Sequence, residues 1–78
     1  MARFYFHVFN DETCLDQEGL ELADAGAARS MAVKEARVLM AEAVKKGEIV
    51  LSHHIAVEDE DGASVCNVTF GEAVRISM

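Results

Sequence analysis

Three histidines, two cysteines and fourteen carboxylates are the residues of this 78-residue chain that could do chemistry. His53 and His54 are adjacent, and with His7, Cys14 and Cys66 they make up the nitrogen and sulfur donors from which a zinc site would be drawn. Neighbouring residues of a strand point to opposite faces, so His53 and His54 do not chelate one ion together. The spacings of His7, His53, Cys14 and Cys66 also match none of the usual zinc ligand patterns. These histidines therefore read as sheet-surface or interface residues, and no metal or cofactor is expected.

The run Glu58-Asp59-Glu60-Asp61 is acidic enough to suggest calcium. Setting Gly62 at the glycine of an EF-hand loop puts Val57 at the first ligand position, and no glutamate follows at the required distance. A solvated hairpin tip is the expectation. Asp11, Glu12, Asp16, Glu18 and Glu21 form a second acidic region. Paired carboxylates can serve acid–base chemistry, but neither a nucleophile motif nor a glycine loop accompanies them, and Ser30, Ser52, Ser64 and Ser77 lie in no GxSxG context. The chain reads as a non-enzyme. Cys14 and Cys66 lack CxxC spacing and are expected as free thiols in a reducing compartment.

The elements that must position these residues start with one long helix, Asp24 to Lys46. Asp24 is a good N-cap, Lys45 and Lys46 place positive charge in the last turn, and Gly47 suits the residue that follows a helix. At 100° per residue Ala25, Ala28, Ala32, Val33, Ala36, Leu39, Met40, Ala43 and Val44 fall on one arc, opposite Lys34, Glu35, Arg37, Glu42 and Lys45. An alanine-rich packing stripe lets the helix lie close to its cover, and Glu42 with Lys46 makes an i,i+4 pair on the wet side.

Arg3 to Phe9 alternates, with Phe4, Phe6 and Val8 on one side and Tyr5, His7 and Phe9 on the other. Thr13 to Asp16 is the return arm of a hairpin, and Leu20 to Leu22 is a brief extended stretch leading to Asp24. His53 to Glu58 and Ala63 to Phe70 form a second hairpin about Asp59-Glu60-Asp61-Gly62, with Cys66, Val68 and Phe70 on one face and Val65, Asn67 and Thr69 on the other. Periodicity does not settle Glu48 to Ser52 or the tail from Glu72 to Met78. The expected fold is α+β: a single domain over 1–78, ordered ββαββ, an antiparallel sheet of two hairpins with the helix on one face.

A helix covers only one face of such a sheet, so aromatic residues of the first strand are left on the other. Tyr5, His7, Phe9, His53 and His54 are the interface candidates, and aromatic surface of this kind marks interfaces. A chain of this size hides a modest share of its surface, and homodimerisation is expected on that ground. A net charge of −7 disfavours nucleic acid and anionic membranes and favours a basic protein partner. The N-terminus reads as a strand rather than a signal peptide, and no run is long enough to span a bilayer, so a cytoplasmic location is expected.

Arg3-Phe4-Tyr5-Phe6-His7, Glu18-Gly19-Leu20-Glu21-Leu22 and Val57-Glu58-Asp59-Glu60-Asp61-Gly62 together give the whole chain its resemblance to a family of small bacterial proteins of unknown function. That resemblance implies a fold and no assigned activity. About the first half, a hairpin, a glycine-containing turn and an alanine-rich helix in that order, also resembles HicB-type antitoxin domains. The second resemblance implies an acidic partner of a basic protein such as a small ribonuclease.

Overall fold

The computed structural model covers residues 1–78. Strands β1 (Ala2–Phe9), β2 (Thr13–Cys14) and β3 (Leu20–Leu22) precede helix α1 (Ala25–Lys45), and β4 (His54–Asp59) and β5 (Ser64–Thr69) follow it. A single 3₁₀ turn, Gly71–Ala73, follows β5. All pairings are antiparallel, in the order β2-β1-β4-β5, with β3 also on β1. The fold is α+β as expected, with one element more than the ββαββ order: Leu20–Leu22 pairs with Ala2–Phe4. β2 and β3 thus share one lane beside β1, β2 at one end and β3 at the other.

The helix starts where the capping chemistry requires. Asp24 is extended, its Oδ1 accepts the Ala27 N–H at 2.8 Å, and Lys46 closes the far end with its N–H on the Ala43 carbonyl. Gly47 follows with φ +95°, a left-handed conformation that favours glycine. Ala28, Ala32, Ala36 and Met40 are buried on the sheet, with Val33 and Leu39 packed beside them. Val44 departs from its expected place on the packing arc and is 61% exposed. Twenty-one residues of helix extend about 30 Å, whereas a six-residue strand extends about 20 Å, so the helix is longer than the strands of the second hairpin. Lys45, not Lys46, pairs with Glu42, at 3.5 Å. No helix is long and apolar enough to cross a membrane.

Phe4, Phe6 and Val8 face the helix with Ile55, Val57, Val68 and Phe70, which settles the sidedness that alternation left open. Val65 does not join Asn67 and Thr69 on the opposite face. Val57 pairs with Cys66 and Glu58 with Ser64, so Val65 is an extra, bulged residue, and it packs against the core. Glu48–Ser52 forms a connection without strand pairing, and the Leu51 and His53 carbonyls accept the N–H groups of Gly71 and Phe70. At the end of the 3₁₀ turn, Arg37 Nε donates to the Ala73 carbonyl at 2.7 Å and ties the turn to the helix.

Candidate functional site

The sheet face that the helix leaves open is built by alternation. β1 contributes Arg3, Tyr5, His7 and Phe9; β4 contributes His54, Ala56 and Glu58; β5 contributes Asn67 and Thr69. Register sets Tyr5 beside Glu58, His7 beside Ala56 and Phe9 beside His54. The Phe9 and His54 rings stack with centroids 4.9 Å apart and planes 19° from parallel. At the margin Arg3 pairs with Glu21 at 3.6 Å, and on the face Glu58 Oε1 lies 3.0 Å from His7 Nε2. The result is an aromatic centre bordered by polar groups that have partners.

His7 is fixed from both ends. Its Nδ1 accepts the Asp16 N–H at 3.0 Å, so the proton of the neutral ring sits on Nε2, which donates to Glu58 Oε1. Only 13% of the side chain is exposed, and both nitrogens are satisfied. Asp16 in turn fills the gap between β2 and β3. Its Oδ2 accepts the Phe6 N–H, which has no strand opposite it, and its Oδ1 accepts the N–H groups of Glu18 and Gly19, all at 3.1 Å. Gly19 has φ +72°, and a Cβ there would meet the Phe4 carbonyl oxygen and Tyr5 Cε1 at 2.9 Å. Only glycine fits this turn without displacing the open-face strand.

Burial alone would raise the Asp16 pKa, but the N–H donors of Gly19, Phe6 and Glu18 outweigh it, and nearby His7 acts in the same direction. The carboxyl is held below its ordinary value of 3.8. Because the folded value is the lower one, this contribution to stability is complete above pH 3.8 and is lost as the pH falls through the folded value. Acid unfolding followed by circular dichroism is therefore expected to show a limb below pH 3.8 that Asp16→Asn lacks. An identical acid limb in the variant would remove Asp16 from that account.

His53 lies apart from the other interface candidates. It precedes β4, sets its ring edge-on to Phe70 at 5.7 Å and approaches Asp11 Oδ1 at 3.7 Å, on the helix side of the sheet. There it lines a recess of about 290 Å³ with Leu39, Glu42, Lys46 and Val50. Tyr5, His7, Phe9 and His54 are brought together; His53 is not. Cys14 is exposed and Cys66 half-buried, both as free thiols. No three histidine, cysteine or acidic side chains are placed to hold one metal ion. Within the acidic hairpin tip Asp59 Oδ1 accepts the N–H groups of Asp61 and Ala63, so that carboxylate shapes the turn. Sequence reasoning missed the role of Asp16, whose signal was its spacing ahead of Gly19 in a stretch read only as acidic.

No characterised protein and no solved structure matches the chain. Residues 3–71 match the profile of a domain of unknown function, DUF6894. That span takes in every strand pairing to β1, the helix and the second hairpin, and the chain belongs to the DUF6894 family.

Proposed function

We propose that the chain is a non-catalytic, homodimeric interaction module whose working surface is the open sheet face. The observation that carries this reading is the aromatic centre, Tyr5, Phe9 and the Phe9–His54 stack, on the face opposite the helix, where only the Asp16–Gly19 turn reaches over Arg3, Tyr5 and His7. Four lanes of strand spaced 4.8 Å apart and up to eight residues long give a footprint of roughly 500 Å². A stable interface covers about 800 Å² on each partner, so contact between two such faces is small and reversible. At the rim Arg3 offsets the charge of Glu21, and Glu58 accepts a hydrogen bond from His7, which softens the repulsion between two copies of a chain with net charge −7.

The remaining charge of two copies still repels, so added salt is expected to strengthen self-association. Sedimentation between 50 mM and 500 mM salt reads this directly. Association that weakens as salt rises would contradict the reading.

A second reading, an antitoxin-like acidic partner of a basic protein such as a small ribonuclease, draws on a different observation. Five of the seven basic residues, Arg29, Lys34, Arg37, Lys45 and Lys46, lie on or at the end of α1, and most carboxylates lie in the strands and their turns. The sheet side therefore carries the negative field that would steer a basic partner. Its salt dependence has the opposite sign: a complex with the product of a neighbouring basic reading frame would form at low salt and dissociate at high salt.

A further inference from the structure

We infer that β5 is a second docking site, an open sheet edge that pairs antiparallel with β5 of another copy about a two-fold axis at Val68. This goes beyond the face contact proposed above, resting on that reading only in taking a second copy as occupant, and it uses different atoms.

The two edges of the sheet are not alike. On the β2/β3 side the edge is broken into strands of two and three residues, and Asp16 plugs the gap between them by accepting the Phe6 N–H. Short, interrupted and acidic edges of that kind resist pairing. β5 is six residues long, pairs only with β4 and ends the sheet. Its sequence, Ser64-Val65-Cys66-Asn67-Val68-Thr69, contains none of the lysine, proline or acidic residues that usually protect an edge. The bulge at Val65 perturbs only its beginning.

Which backbone groups are free follows from the ladder. The Phe70 N–H donates inward to the His53 carbonyl at 2.7 Å, so alternation turns the N–H and C=O of Asn67 and Thr69 outward, away from β4. Neither residue's backbone hydrogen-bonds elsewhere in the chain. About a two-fold at Val68, Asn67 of one copy faces Thr69 of the other, and the two such pairs exchange four backbone hydrogen bonds without involving the bulge.

Charge selects the occupant. Two chains of net charge −7 meet most easily along their uncharged strand, and β5 is the one strand of four or more residues that carries no charge. Pairing there makes one continuous sheet with both open faces on the same side. The edge two-fold is perpendicular to the sheet and a face-to-face two-fold lies parallel to it, so a face axis that intersects the edge axis closes a four-chain assembly with D2 symmetry.

The test is sedimentation of Asn67→Pro beside the wild type. The Asn67 N–H donates to nothing within the chain, so proline removes only an outward donor. Asn67→Lys keeps the backbone and guards against misfolding of the proline variant; its side chain lies on the open face, so the edge is read from Asn67→Pro and from amide exchange. Asn67→Pro is expected to sediment at half the wild-type mass with an unchanged circular dichroism spectrum. In the wild type, Asn67 and Thr69 amides are expected to exchange more slowly as protein concentration rises. Asn67→Pro at wild-type mass, or amide exchange independent of concentration, overturns the edge pairing. Tyr5→Glu separates the two contacts. If it halves the mass and Asn67→Pro does not, the face stands and the edge falls; if Asn67→Pro halves it and Tyr5→Glu does not, the edge stands and the face falls. A monomeric wild type overturns both.

Discussion

Asp16→Ala is expected to lower the folding free energy by about 3 kcal/mol, because it strips acceptors from three backbone N–H groups, those of Phe6, Glu18 and Gly19. The Glu18 N–H is exposed and turns to water at little cost, whereas those of Phe6 and Gly19 are part-buried. A domain of this size has a total stability of about 4 to 12 kcal/mol, so the variant loses a large share of it. The loss reaches the open face as well. Without the carboxylate the turn carrying the Asp16 N–H loosens, and His7 loses the donor that fixes its tautomer. Asp16→Asn keeps one acceptor oxygen and is expected to cost less. Urea unfolding of the three proteins measures the series, and an alanine variant as stable as the wild type would mean that water replaces the carboxylate at Phe6.

Ala32→Leu is expected to cost about 3 kcal/mol, at the upper end for overpacking, because nothing around Ala32 can give. Ala28, Ala32 and Ala36 are fully buried, in line along α1, and they lie against a sheet whose Ile55, Val57 and Val68 are fully buried too. The small side chains set the distance between helix and sheet. A leucine at the middle position lifts the helix from the strands on both sides and exposes Met40 and Phe70. Ala41→Leu on the exposed side of the same helix is the control, with a change within about 0.5 kcal/mol. Equal unfolding midpoints for the two leucine variants would contradict the close approach.

The helix was legible because several signals agreed: a capping aspartate, a small-residue stripe at helical period, basic residues in the last turn and a glycine after it. The exposure of Val44 was not, since helical period places it on an arc without saying what covers that arc at the last turn. The alternation of β1 marked Tyr5, His7 and Phe9 as one set, and the acidic turn with Gly62 marked the second hairpin. β3 escaped because three residues with a central glutamate carry too little pattern to reveal a partner. The Val65 bulge left no trace in a run whose alternation looks unbroken. His53 was grouped with the open face although it precedes the strand, where alternation has not begun. The part played by Asp16 depends on β2 and β3 sharing one lane, a long-range fact that local residue types do not encode.

The face proposed as the working surface thus rests on a strand whose two sides were readable and on a turn whose purpose was not. Tyr5 stands beside Glu58 on that face and packs near Gly19, so a charge at position 5 alters the exposed surface while Phe4 and Phe6 keep the core. Sedimentation velocity of Tyr5→Glu at micromolar concentration, with circular dichroism as the check on folding, tests the face most directly. Loss of the face contact, seen as a lower mass than wild type with the spectrum retained, is the predicted result. A folded Tyr5→Glu protein that assembles as the wild type does would contradict it.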